Sequence, residues 1–127
     1  MSICYLDTHV AVWLHDGLGH KLTRASKKVI EASEIRISPM VYLEFDYLHR
    51  RGRIRQGAAS LYANLRSTLD VVLCPFSFPA VAHAATQFDW TSDPFDRIIV
   101  AHAKANGQSP LVTADETIRS HYRNAVW

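Results

Sequence analysis

Short apolar runs alternate with amphipathic helical stretches along nearly the whole chain, and no other feature limits the fold as strongly. Ile3-Cys4-Tyr5-Leu6 reads as a buried strand that stops at Asp7-Thr8, with a short apolar helix over residues 10–14. Leu22, Ala25, Val29 and Ile30 recur at helical spacing, which predicts a helix over residues 23–33, and Ile35-Arg36-Ile37 then alternates as a strand does. Ser38-Pro39 is a helix start, Ser as N-cap and Pro at the first helical position, and Gly52 closes that helix. Ala58, Leu61, Tyr62, Leu65 and Leu69 mark the next helix, and Val71-Val72-Leu73 is a third strand ended by Pro75. A helix follows over residues 79–88, and Asp93-Pro94 opens another that runs to about Asn106-Gly107. Leu111-Val112-Thr113 is the fourth strand, residues 115–121 a short helix, and Ala125-Val126-Trp127 a last edge strand. Strands separated by helices imply βαβ units, so the expected fold is α/β, a three-layer sandwich around a mainly parallel central sheet. With 127 residues, no repeats and no linker-like shift in composition, one domain over residues 1–127 is expected.

Bulk charge decides little. The 14 Lys and Arg exceed the 12 Asp and Glu by only 2, too small a surplus to argue for nucleic-acid binding by itself. The two cysteines, Cys4 and Cys74, form no CxxC pair and lie in apolar surroundings, as buried free thiols of a reducing cytoplasm do. No signal peptide or bilayer-spanning apolar run is visible, so a cytoplasmic protein without membrane contact is expected.

In parallel sheets ligands bind beyond the carboxyl ends of the strands, and acids gather there. Asp7 follows the first strand and Asp115 lies just past the fourth. Glu44 is on the second turn of the helix after the second strand, and Asp96 is in the first turn of the helix before the fourth. All four can face one crevice, where mutual repulsion would raise their pKa values unless a cation sits among them. Hard divalent ions with oxygen ligands, Mg²⁺ or Mn²⁺, suit such a set and can drive hydrolysis of a phosphodiester. Each acid also has a plainer reading. Asp7 could be only a helix cap, Glu44 a solvated helix residue beside an apolar stripe, and Asp93 and Asp96 the acidic start of a helix. Capping suffices for Asp93. Thr113-Ala114-Asp115-Glu116 has the pattern of a capping box with Thr113 as the cap, which leaves Asp115 unassigned. The case rests on the set rather than on any one acid.

Four segments in order give the chain a resemblance to PIN-domain proteins, and within them to VapC toxins of toxin–antitoxin pairs. They are Ile3-Cys4-Tyr5-Leu6-Asp7-Thr8-His9, Ser38-Pro39-Met40-Val41-Tyr42-Leu43-Glu44-Phe45, Asp93-Pro94-Phe95-Asp96-Arg97-Ile98-Ile99-Val100-Ala101 and Leu111-Val112-Thr113-Ala114-Asp115. Asp-Pro-Phe-Asp-Arg is the most specific. The resemblance implies a metal-dependent endoribonuclease, a hydrolase, in which Asp7, Glu44 and Asp96 bind Mg²⁺ or Mn²⁺ and Asp115 is a fourth, more distant acid. It implies that Thr113 orients a water or Asp115, that Asp93 supports the site, that the protein dimerises, and that a VapB-type antitoxin inhibits it. Asp46 projects about 200° round the helix from Glu44 and is expected outside the metal's reach.

The dense basic run is His49-Arg50-Arg51-Gly52-Arg53-Ile54-Arg55. It reads either as a solvated helix end or as a rim in which Arg50, Arg51 and Arg53 contact RNA phosphates. Arg97 is a further candidate for a substrate phosphate, or for a salt bridge within the acid cluster. The seven histidines show no His-x-x-x-His or HExxH spacing, which speaks against zinc. Trp13, Trp90 and Trp127 read as core or interface aromatics rather than stacking platforms.

Two enzymatic rivals fail on single positions. A phosphate-receiving signalling domain needs an acidic pair after the first strand and an Asp after the third, where Cys74-Pro75-Phe76 stands. A haloacid-dehalogenase-like phosphatase needs Asp-x-Asp, and the residue two after Asp7 is His9. The non-enzymatic alternative is a catalytically inactive PIN-like domain that only binds RNA or a protein.

Overall fold

The computed structural model describes residues 2–127. In chain order the elements are β1 (Ser2–Leu6), α1 (Thr8–His15), α2 (Arg24–Glu31), β2 (Ser33–Ile37), α3 (Pro39–Arg50) and α4 (Ala58–Leu69). There follow β3 (Val72–Leu73), α5 (Phe78–Ala85), α6 (Pro94–Ala105), β4 (Leu111–Val112), α7 (Glu116–His121) and β5 (Ala125–Val126), and a 3₁₀ turn at Gly19–Lys21 joins α1 to α2. The strands form one sheet in the order β3-β2-β1-β4-β5, every pair parallel. The expected three-layer α/β architecture is therefore present, with helices flanking the sheet.

That order places the functional edge. Chain connections run outward from β1 through β2 to β3, and the sheet then resumes on the other side of β1 with β4 and β5. The reversal falls between β1 and β4, where a crevice opens at the carboxyl ends of the strands. β1 is the central strand, and Cys4, Tyr5 and Leu6 in it are at most 1% exposed. Burial pushes the Cys4 thiol up to about 11, so it is a neutral packing group. Cys74 is likewise buried and free, its sulfur 3.0 Å from the Tyr5 hydroxyl.

Three helices differ in their boundaries from the periodicity, and α5 runs over Phe78–Ala85 rather than residues 79–88. The first helix starts directly at Thr8, because Asp7 caps it, and extends to His15. The second ends at Glu31 rather than near residue 33, because Ser33 is drawn into the β1–β2 ladder opposite Ser2 while its hydroxyl donates to the Val29 carbonyl at 2.7 Å. The ladder outcompetes one more helical turn.

One buried polar pair matters for the site. Ser38 caps α3, accepting the Met40 N–H at 3.0 Å, and its hydroxyl lies 2.9 Å from Nδ1 of His102 on α6. Burial lowers the pKa of His102, so the imidazole is held neutral. The pair ties the start of the helix carrying Glu44 to the helix carrying Asp96.

Candidate active site

Asp7 stands where the crevice requires an acid, at the end of the central strand. It is 7% exposed, and its Oδ1 accepts the Thr8 N–H at 2.8 Å while its Oδ2 accepts the Thr113 hydroxyl at 2.7 Å. Thr113 follows β4, is fully buried, and also accepts the Asp115 N–H at 3.0 Å. One hydroxyl thus orients the first acid and fixes the backbone of the fourth. Glu44, half-buried on α3, accepts a hydrogen bond from the Thr8 hydroxyl. Asp96, half-buried in the first turn of α6, is presented by Asp93, whose Oδ1 accepts the N–H groups of Phe95 and Asp96 at 2.8 and 3.4 Å. Asp115 is exposed at the start of α7, its Oδ1 accepting the Ile118 N–H at 3.0 Å.

The acids feel one another. The Asp96 carboxyl is pushed up to about 7, first by burial and then by the charges of Asp93, Asp7, Asp115 and Glu44. Asp7 is raised by burial against the pull of its two hydrogen bonds. Glu44 is raised by burial, with the Thr8 hydroxyl opposing and the Asp7 charge adding to it. His9 works against both shifts, but no Lys or Arg does. Among the described residues the only ion pair within 4.0 Å is Arg50–Asp46, away from these acids.

The acids suit a hard divalent cation by donor type and by surplus negative charge. As they stand, no three His, Cys, Asp or Glu side chains among the described residues are closed around a point where a metal ion could sit. Asp7 is fixed by two bonds, whereas Glu44 and Asp96 lie on helices with carboxylate oxygens free to accept further contacts.

Several assignments from sequence change. Thr113 does not cap α7; Asp115 does, and the capping-box pattern misled because the Thr113 hydroxyl is spent on Asp7. Arg97 pairs with no acid among the described residues; its Nε and Nη2 both donate to the Ala85 carbonyl, at 3.3 and 3.2 Å, tying α6 to the end of α5. Arg50 pairs with Asp46 one turn earlier on α3, and the Arg51 guanidinium lies over Tyr47, 5.5 Å from its ring centre. Arg53 lies beyond α3 and lines a cleft beside α1. Thr8 and His9 received no role from sequence, although a hydroxyl and an imidazole directly after a strand-end acid were the available signal.

The family profile described as PIN domain matches residues 4–124. The chain belongs to the PIN-domain family. The match spans β1 through α7, so all four acids lie within the PIN domain. This PIN domain is also similar to a chain in the crystal structure of VapBC2 from Rickettsia felis bound to a DNA fragment from their promoter. The two are 20% identical with a TM-score of 0.64, covering 97% of this chain and 95% of the other, a likeness of fold. No curated protein matches the chain. PIN domains are generally nucleases that use divalent metal ions, and the set of acids at this edge suits that chemistry. No helix among the described residues is long and apolar enough to cross a membrane.

Proposed function

We propose that this PIN domain is a metal-dependent endoribonuclease, the VapC-type toxin of a type II toxin–antitoxin pair, hydrolysing RNA to leave a 5′-phosphate and a 3′-hydroxyl. One observation carries the reading. Asp96 is half-buried among four other carboxylates, and burial first, with their charges adding to it, pushes its carboxyl up to about 7. Such repulsion is costly to maintain in a fold that merely caps its helices, and a bound cation removes it.

In this reading Asp7, Glu44, Asp96 and Asp115 hold Mg²⁺ or Mn²⁺. The bound ion supplies Lewis acidity, neutralising charge on the phosphodiester and making water nucleophilic near neutral pH. Thr113 holds Asp7 in one rotamer and sets the position of Asp115. Thr8 does the same for Glu44, and Asp93 presents Asp96 by capping α6. Asp96, its carboxyl raised to about 7, is part-protonated at neutral pH, and a bound cation would favour its ionised form. The similarity in fold to a chain of a VapBC complex supports a VapB-type antitoxin as partner, and the exposed Leu43 and Tyr47 on α3 offer apolar surface for a homodimer. The protein is proposed to act in the cytoplasm.

The inactive, RNA- or protein-binding alternative has one observation in its favour: Asp7, Asp93 and Asp115 all cap helices, which gives them structural work without a metal. Cleavage of mixed cellular RNA by antitoxin-free protein separates the two. Discrete fragments with Mg²⁺ or Mn²⁺ that vanish with EDTA and with Asp96→Asn support the nuclease. Folded protein that cuts nothing in either metal supports the binding domain.

A further inference from the structure

The acids occupy the N-terminal end of α1, while one side of the same helix lines a cleft of about 740 Å³. His9, Trp13 and Asp16, spaced four and three residues apart, form its α1 wall; Lys21 enters from the 3₁₀ turn, and Arg53 and Arg55 from the loop between α3 and α4. Lys21, Arg53 and Arg55 are exposed, and none of them is in an ion pair among the described residues. Asp16 is the only acid in the lining, so the cleft carries three permanent cations against one carboxylate. Trp13 in that wall packs on Trp127 with ring centres 6.0 Å apart and lies under the Lys21 ammonium. His9 lines the cleft and stands two residues after Asp7, at the start of α1.

A positively charged trough with an aromatic wall is the form in which proteins hold single strands, phosphates on the cations and bases against the apolar side. A strand whose phosphate is attacked at the acids must be held by positive charge beside them, since the acids themselves repel it. Arg50, on α3 and outside the cleft, is paired with Asp46. We propose that the cleft binds the phosphodiester backbone of single-stranded RNA flanking the cleaved bond, with Lys21, Arg53 and Arg55 as its phosphate contacts. The proposal rests on the ribonuclease reading above. It gives the residues a positioning role, since none of them touches the reacting atoms.

The test is fluorescence anisotropy of a labelled single-stranded RNA of about 12 nucleotides, within the site sizes of such grooves, titrated with full-length protein in EDTA at several salt concentrations. The variants are Lys21→Ala/Arg53→Ala/Arg55→Ala, each single substitution, and Arg66→Ala, exposed on α4, as a control outside the cleft. Each lost phosphate contact lowers the slope of log affinity against log salt by about 0.7 on single strands, so the triple variant loses about 2 and each single variant about 0.7. The single variants keep the test decisive if the triple variant fails to fold. In cleavage assays on long RNA the triple variant raises KM with kcat unchanged, and Arg66→Ala changes neither. An unchanged affinity and slope in the folded variants, with cleavage intact, overturns the cleft and leaves the ribonuclease standing. RNA binding that depends on the three cations in a protein that cuts nothing with Mg²⁺ or Mn²⁺ overturns the ribonuclease and leaves the cleft standing. A polyglutamate peptide that binds through these residues where RNA does not overturns the proposal in favour of a protein partner.

Discussion

The acid edge and the basic cleft lie at the N-terminal end and along the side of the same short helix, and they carry opposite, uncompensated charge. Among the described residues, Asp7, Glu44, Asp96 and Asp115 have no cation within ion-pair distance, and Lys21, Arg53 and Arg55 have no carboxylate. The two differ in burial. Asp7 is 7% exposed and Asp96 and Glu44 are half-buried, whereas the three cations are all exposed. Burial, with the repulsion of the neighbouring carboxylates added to it, moves Asp96 to about 7, while the cleft's cations stay solvated. A segregation of this kind suits a site that receives a divalent ion at one place and a polyanion beside it. On this account, substitutions at the acid edge abolish chemistry, and substitutions in the cleft weaken binding in a salt-dependent way.

The largest effect is expected at the acid edge. Asp7→Asn keeps the shape and the cap acceptor but removes the charge, and it should lower kcat by at least the roughly 10²–10³-fold seen when one charge-stabilising group is lost. Thermal unfolding should show Asp7→Asn at least as stable as the wild type without metal, because a buried carboxylate has been neutralised. Equal activity of Asp7→Asn and wild type would end the distinction between the two regions.

Thr113→Val comes next. It deletes the hydroxyl that holds Asp7 and fixes the Asp115 backbone, and groups that orient metal ligands typically account for about 10–100-fold in metal affinity or activity. Titration with Mn²⁺ should show weaker binding in Thr113→Val. Unchanged metal affinity would mean that Asp7 needs no orienting partner.

The pH dependence of stability sharpens the contrast further. A carboxyl that ionises near 3.8 when unfolded but near 7 when folded makes the folded state the richer in protons. Metal-free stability is then unaffected by Asp96 below pH 3.8, falls as pH rises from there towards 7, and levels off above. Thermal melts from pH 5 to pH 8 should show this decline in EDTA, a smaller one in Asp96→Asn, and recovery with Mn²⁺. Lys21, Arg53 and Arg55 substitutions should leave the profile almost untouched. The smallest effect on metal-free stability is expected from Asp115→Asn, since Asn also caps helices and the carboxylate is exposed.

What was legible in the sequence followed from local chemistry. The alternation of apolar strands and amphipathic helices gave the parallel α/β sheet, and strand-end or first-turn positions gave Asp7, Glu44, Asp96 and Asp115, which the fold brings into one another's field. Caps were read well where a single residue decides them, as at Asp93 and Ser38, and poorly where a tertiary partner competes. Thr113 has the local pattern of a cap, yet its hydroxyl reaches Asp7, 106 residues earlier, because β1 and β4 are adjacent in the sheet. Arg97 looked like a phosphate ligand, but the packing of α6 on α5 gives it the Ala85 carbonyl. The cleft was invisible for the same reason: no local rule says that the loop after α3 will fold opposite Lys21 and His9.

Calorimetric titration of metal-free protein with Mn²⁺ near pH 7, in two buffers of different ionisation enthalpy and with Asp96→Asn alongside, tests the central claim most directly. The account predicts saturable binding by the wild type, release of protons as Asp96 gives up its own, tightening as pH rises through 7, and weak binding without that proton release in Asp96→Asn. No binding by folded wild-type protein, or binding of equal strength and proton release in Asp96→Asn, would contradict a cation site built from these acids.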